Sequence, residues 1–275
     1  MADKDEVYGK TKLRILSAKG GGWSGIALSG GKQVGDILHD DDRDRLRTRL
    51  MNAAGTEHPD YFGIEGAIER FLTYMPGGFA GERYNSPDSE RRYKVRARDA
   101  LAETMPLHNA LNASGGDAKL LAVAFTPDKL WINMLSLHES TRLRETLAGP
   151  NGNAFLQAAA KFATGQVGAG LAGMRSAVAP HGGTTWPIVT YLPFFWSPEA
   201  HMFLKPEATR DFAQRIGHRF AVEYRSEHEA AVYECLLDLV DHTANAIRQL
   251  NPADRIDVQS FIWVVGRYAE MDLPA

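Results

Sequence analysis

The chain contains 275 residues, of which 44% are hydrophobic and 24% are charged, and its net charge at neutral pH is −3. This composition is typical of a globular protein with one large domain or two small ones, and it excludes a wholly basic nucleic-acid-binding domain. The N-terminal stretch lacks the apolar core of a signal peptide, and no run approaches the roughly 18 apolar residues of a membrane span. We therefore expect a cytoplasmic protein with no membrane partner.

Residues 11–35 differ from the rest of the chain, because they combine many glycines with short apolar runs. Leu13 and Ile15 alternate with Arg14, which is the pattern of a strand with one buried face. Glycine pairs between such runs are typical of turns that join neighbouring strands. The segment therefore predicts a few short strands that form a small β-rich subdomain.

The glycine pair before Lys32 also invites comparison with a phosphate-binding loop. That loop requires Ser or Thr after the lysine, and here Gln33 follows. Hairpin turns are the better interpretation of these glycines. We predict a β-rich subdomain over residues 1–38 and a mainly helical domain over residues 39–275, so the fold class is mainly α (α+β).

Most of the remaining chain carries apolar residues at the spacing of an α-helix. Start and stop signals, such as Asp residues before a pattern and Pro or Gly after it, mark the ends of these helices. The predicted helices follow the Asp40–Asp42 run, span 63–75, begin near 86, span 137–148 and 152–164, begin near Pro206, and include residues 232–250 and 258–268. The single cysteine, Cys235, lies in one of them and is predicted to be buried and structural.

Two segments carry a different prediction. The apolar runs LLAVAF and KLWINML lie on either side of Thr126, and they predict two strands or part of an extended connection. Residues 165–183 contain four glycines within nine positions. Because glycine disfavours a helix interior, we predict a poor helix there and a loop or a close-packed segment.

The strongest charge signal is a basic helix. Five cations occur within eight residues, namely Arg91, Arg92, Lys94, Arg96 and Arg98. At about 100° per residue, Arg91, Lys94 and Arg98 share one stripe, while the other two lie beside acidic residues. The stripe predicts contacts with the phosphates of DNA or RNA. The alternative is an ordinary solvated helix face.

An aromatic-rich stretch, TWPIVTYLPFFWSPEAHMFLKPEAT, covers residues 185–209. Its apolar positions fit one buried helical face, and Pro193 should kink or end that helix. A core explains most of the aromatic residues. It does not explain the polar residues that follow, so we predict that a pocket able to stack a base or hold an anion is lined by Trp186, Trp196, His201 and Lys205.

Three blocks of this chain resemble blocks found in a scattered group of bacterial proteins that has no established activity. They are RFLTYMPGGFAGERYNSPDSERRYKVRARDAL, TTWPIVTYLPFFWSPEAHMFLKPEAT and RIDVQSFIWVVGR. The resemblance implies an SH3-like or Tudor-like barrel at the N-terminus and an accessory part in a prokaryotic restriction or defence system. The matching positions include Gly77, Gly78, Phe79, Arg92, Tyr93, Lys94, Trp186, Thr190, Pro198, His201, Lys205, Pro206, Asp257, Gln259, Ser260 and Trp263.

No linear catalytic motif, metal-ligand spacing or cofactor motif occurs in the sequence, so we predict no catalytic residue, no metal and no cofactor. The leading hypothesis is a non-enzymatic binding or accessory protein that contacts nucleic acid through the basic helix. One alternative is an enzyme that acts on nucleic acid or a nucleotide. Another is a scaffold whose basic helix meets an acidic protein partner.

Overall fold

The computed structural model describes residues 5–8, 11–54, 63–126, 134–268 and 270–274. The chain divides into two compact units, Met1–Arg70 and Phe71–Ala275. The first unit contains the β-strands and the second is helical, which confirms the predicted mainly α (α+β) class with a small N-terminal β-rich part.

The first unit contains a four-stranded antiparallel sheet in which every strand pairs with its neighbour in sequence. The strands are β1 (Glu6–Tyr8), β2 (Thr11–Ser17), β3 (Trp23–Ser29) and β4 (Lys32–Asp40), and helix α1 (Arg43–Ala53) follows. The glycine pairs form the turns at both ends of β3, as predicted. Along β2, buried and exposed residues alternate, because successive side chains point to opposite faces of a sheet.

Helix α1 covers one face of this sheet. Leu13, Ile15 and Ala27 from the strands pack with Leu46 and Leu50 of the helix in one buried cluster. The Asp42 carboxylate accepts a bond from the Arg45 amide at 2.7 Å, so this aspartate caps the helix as predicted.

The predicted boundary after residue 38 falls inside β4, and the division of the chain lies instead between Arg70 and Phe71. The reason is that the apolar face of the sheet needs α1 to cover it, so the two fold together. The described strands form an open sheet, and an SH3-like or Tudor-like barrel stays a prediction.

Helix α2 (Gly63–Tyr74) ends just before Pro76, as predicted. The helices that follow are α3 (Glu90–Thr104), α4 (Leu107–Leu111), α5 (Asp117–Ala124), α6 (Leu137–Ala148), α7 (Gly152–Ala163), α8 (Val167–Val178), α9 (Trp186–Trp196), α10 (Pro206–Arg215), α11 (Phe220–Glu223), α12 (Ala230–Ala246) and α13 (Arg255–Arg267). Cys235 on α12 is buried, as predicted, and burial raises the pKa of its thiol to about 11.

Helix α8 contradicts the loop predicted over residues 165–183. Two of its glycines serve close packing against α7: a Cβ on Gly170 would lie 2.6 Å from the Cβ of Phe162, and one on Gly173 would lie 2.7 Å from the Cβ of Ala158. Glycine here permits two helix backbones to approach each other, and this gain outweighs its poor helix propensity.

The strand predicted for LLAVAF is also wrong, since these residues lie largely in α5. Ala118, Leu121 and Ala122 are buried while Leu120 and Val123 are exposed, which is the spacing of a helix with one buried face. A short apolar run does not by itself distinguish a buried strand from such a helix. Most of KLWINML lies outside the described residues.

Helix α9 runs through Pro193 to Trp196, so the proline does not end it. Every residue from Trp186 to Phe195 is buried, and this packing stabilises the helix where the proline lacks an amide donor. Within the described ranges, no helix combines the length and the apolar character needed to span a bilayer.

Candidate ligand-binding cavity

The basic helix α3 does not present the solvent-facing stripe that the sequence predicts. Lys94 is only 1% exposed, and its ammonium lies 2.8 Å from a Glu90 carboxylate oxygen and 2.9 Å from the Ser260 hydroxyl oxygen on α13. A lysine at such a position needs its partners, because an unpaired buried charge is costly. Lys94 therefore serves the fold and is not available to a phosphate.

Arg91 is committed in the same way. Its guanidinium donates to Asp254 at 2.9 Å and to Asp257 at 2.6 Å, and the latter carboxylate also accepts from the Tyr84 hydroxyl at 2.7 Å. We call the set Tyr84, Glu90, Arg91, Lys94, Asp254, Asp257 and Ser260 the α3–α13 network. It joins α3 and α13 of the second unit and pairs the positive charges of Arg91 and Lys94 with carboxylates of the same chain.

Arg92 and Arg96 are exposed, and Arg98 pairs with its neighbour Asp99 at 2.9 Å. The prediction that Arg91, Lys94 and Arg98 form a stripe free to bind phosphate is thus wrong, because Arg91 and Lys94 lie inside the α3–α13 network. A helical spacing predicts which side chains share a face but does not reveal what lies opposite.

The four residues predicted to line one pocket separate into two groups. His201 is 5% exposed and is held by the Ala163 carbonyl oxygen at 3.1 Å and the Tyr233 hydroxyl at 3.3 Å. Burial lowers the pKa of this imidazole. The Trp196 indole donates to the Met105 carbonyl oxygen at 2.8 Å. Neither residue lines the cavity described next: His201 is buried, and Trp196 is half-buried.

Trp186 and Lys205 line a common cavity of about 620 Å³. This volume falls within the range of about 300–1,000 Å³ that is typical of small-molecule sites. Trp186 is 2% exposed, so the accessible aromatic rings of the wall are those of Tyr224 and Trp263, and Pro187 adds apolar surface. Such walls suit a flat, ring-containing ligand, because aromatic faces stack on one another.

Three helices begin at this cavity. Its lining includes the residue before each helix, which is Ser136 for α6, Thr185 for α9 and Lys205 for α10. Ser136 caps α6 in a reciprocal pair with Glu139, whereas the side chains before α9 and α10 accept no bond from the first turn. Each helix start carries a partial positive charge of about half a unit. Together the three helix starts favour a negatively charged group.

The charged side chains around the cavity balance each other. Glu139 is fully engaged, since it accepts from the Ser136 amide at 2.9 Å and the Thr185 hydroxyl at 2.8 Å. Lys205 donates to the Met134 carbonyl oxygen at 2.9 Å. At the rim, Arg267 lies 3.6 Å from Glu207. Two cations and two carboxylates cancel, so the helix starts leave a net positive field.

A smaller cavity, which we call the annex, adjoins the first and shares Lys205 and Trp263 with it. Its volume is about 10 Å³, and its wall includes Tyr93, Phe203 and Gln259. Gln259 is 5% exposed, and its side-chain oxygen has no hydrogen-bond partner among the residues that the structure describes. An unpaired buried acceptor is uncommon, and it indicates a position where a hydrogen-bond donor from a ligand or a water molecule would bind.

Sequence reasoning missed Tyr224, Gln259, Trp263 and Arg267 as cavity residues. One signal was present: Gln259 and Trp263 are four residues apart on a helix that is otherwise largely apolar, which places them on one face. No local signal brings Tyr224 to that face, because it follows the short helix α11.

Comparison of the chain with protein-family models, with curated proteins and with solved structures finds no match. The candidate site therefore stands on the geometry of its own residues.

Proposed function

We propose that the helical unit is a binding protein for a small molecule that combines an aromatic ring with an anionic group, and that the ligand is a nucleotide. The observation that carries the proposal is the joining, in one cavity of about 620 Å³, of aromatic walls and three helix starts. The rings would stack a base, and the helix starts with Lys205 would hold a phosphate.

This proposal narrows the nucleic-acid hypothesis formed from the sequence. The cavity, and not helix α3, would make the contact, because Arg91 and Lys94 are already paired within the protein. Lys205 keeps capacity for a ligand: an ammonium has three donors, and one of them is used by the Met134 carbonyl. A non-enzymatic or accessory role is consistent with a site that binds and orients a ligand.

The test is calorimetric titration of the full chain with AMP, adenosine and ribose 5-phosphate, and with the other three common nucleoside monophosphates. We expect AMP to bind with a Kd of about 1–100 µM. Adenosine and ribose 5-phosphate should each bind at least about tenfold more weakly, because each lacks one half of the recognised chemistry. Release of inorganic phosphate during the titration would favour the enzymatic alternative.

A matched pair of variants connects binding to the cavity. Lys205→Met should weaken AMP binding about tenfold and adenosine binding by less, since only AMP has a phosphate that loses its charged partner. Lys161→Met, which removes an exposed lysine of α7, should bind as the unmodified chain does. If none of the four nucleoside monophosphates binds at millimolar concentration, the proposed function is wrong.

A further inference from the structure

The annex is the part of the site that most restricts which chemical group of a ligand can bind. Its volume of about 10 Å³ gives room for about one water-sized group and no more. Any group that enters it meets Lys205 and Gln259 together, since both line this small space. Lys205 and Trp263 line both the annex and the main cavity, so the two spaces adjoin at these side chains. A substituent of a ligand in the main cavity is therefore within reach.

The polar groups of the annex specify what fits. The Gln259 side-chain oxygen accepts hydrogen bonds and has no donor among the described residues. The Lys205 ammonium donates, and among the described residues one of its three protons is used, by the Met134 carbonyl oxygen at 2.9 Å. The Tyr93 hydroxyl already donates to Glu90 at 2.6 Å, so it has no proton left to offer. The annex thus offers one donor and an unpaired acceptor.

Three single-atom groups can be compared against this pair. An amino group on an aromatic ring is chiefly a donor, so it offers no acceptor to the Lys205 ammonium. A carbonyl oxygen only accepts, so it offers no donor to the side-chain oxygen of Gln259. A hydroxyl both accepts and donates, so it bonds with Lys205 and Gln259 at once.

We infer that the annex receives one hydroxyl group of the ligand and that Gln259 determines specificity for it. The inference rests on the proposed function: in a nucleotide, the hydroxyls belong to the ribose, so the group that enters the annex is one of the two ribose hydroxyls. A site built to pair a hydroxyl discriminates strongly against an analogue that lacks it, because its own polar groups are then left unpaired. The competing occupant of the annex is a water molecule.

The experiment measures the Kd of AMP, 2′-deoxyAMP and 3′-deoxyAMP for the full chain and for Gln259→Met, which keeps the side-chain size and removes the acceptor. For the unmodified chain we expect one of the two deoxy analogues to bind at least about tenfold more weakly than AMP. In Gln259→Met, AMP should weaken to the level of that analogue, so the ratio falls to near one. Gln166→Met, at an exposed position before α8, should keep the ratio.

Gln259→Glu provides a second variant that retains an acceptor, and it should preserve the preference for the hydroxyl even if Gln259→Met folds poorly. If both deoxy analogues bind the unmodified chain within twofold of AMP, the annex holds only water, and the inference fails while the proposed function stands. A ratio that Gln259→Met does not change also overturns it. If another of the four common nucleoside monophosphates binds in place of AMP, its own deoxy analogues are compared in the same way. If none of the four binds, both the inference and the proposed function fail.

Discussion

Lys94 and Lys205 belong to the same unit, and each stands at the centre of a polar cluster, yet the two clusters differ in what they leave unpaired. Lys94 is 1% exposed and is paired with Glu90 and Ser260 inside the α3–α13 network. Lys205 has one bond to a carbonyl oxygen and lies between a large cavity and a small one. In the first cluster the lysine is paired within the protein, whereas in the second the lysine keeps hydrogen-bond donors that a ligand can use.

The comparison shows why a count of cations is a poor guide to a binding surface. Five basic residues within about two turns of helix resemble a phosphate contact, but the two that lie deepest neutralise carboxylates of their own chain. A single lysine beside uncapped helix starts has the greater capacity for a ligand. Removing a charge from the first cluster should therefore cost stability, whereas removing one from the second cluster should cost binding.

The largest effect is expected for Lys94→Met. The substitution leaves the Glu90 carboxylate buried without its cation, and breaking a buried pair from one side costs about 3–5 kcal/mol of unfolding free energy. Urea unfolding followed by circular dichroism measures the change. The double variant Glu90→Gln with Lys94→Met removes both charges and should recover a large part of the loss. A double variant as unstable as the sum of the two single variants would show that the pair does not act as a unit.

Arg91→Gln should have the next largest effect. It removes charge-assisted bonds to Asp254 and Asp257, which are worth about 1.5–3 kcal/mol to stability. Arg92→Gln is the matched control on the same helix, and because that side chain is exposed it should change the unfolding free energy by no more than about 0.5 kcal/mol. Equal effects of the two substitutions would contradict the distinction between the network and the solvated face.

The network should also make stability depend on pH. Burial alone would raise the pKa of Glu90, but the Lys94 ammonium and the hydroxyls of Tyr93 and Tyr268 outweigh it and hold the pKa below its ordinary 4.5. The unfolded chain then binds this proton at a higher pH than the folded one. The stabilisation is therefore complete above about pH 4.5 and is lost as the pH falls through the lower folded pKa.

The measurement for this third prediction is the urea midpoint at a series of pH values between about 6 and 3. The midpoint of the unmodified chain should fall more steeply below pH 4.5 than that of Glu90→Gln, which cannot titrate at this position. Identical slopes for the two chains would assign the acid sensitivity to other carboxylates.

The smallest effect on the fold is expected for Lys205→Met, the counterpart of the Lys94 variant. Lys205 is half-buried and its bond to Met134 is a single one to a neutral acceptor, so its removal should cost less than about 1 kcal/mol. A loss as large as that of Lys94→Met, measured by the same urea unfolding, would make Lys205 a structural residue and would weaken the case for a ligand site.

The sequence predicts the helices α6, α7, α12 and α13 well, because their apolar spacing and end signals are local. It also singles out Trp186 and Lys205 of the cavity. It does not reveal that Arg91 meets Asp257, since the two are 166 residues apart and only tertiary packing joins them. The loop predicted around Gly170 is wrong for the same reason. Glycine is needed there because the Phe162 side chain of α7 lies close to it, and the local sequence does not reveal that contact.

The order of strands and the position of the network have a consequence for how the chain folds during synthesis. Each strand of the N-terminal sheet pairs with the strand next to it in sequence, so its contact order is low and the unit can form early. The Tyr84–Asp257 bond spans 173 residues. Until α13 has left the ribosome, the nascent helix α3 lacks the partners of Arg91, so the helical unit completes its folding only after α13 has been synthesised.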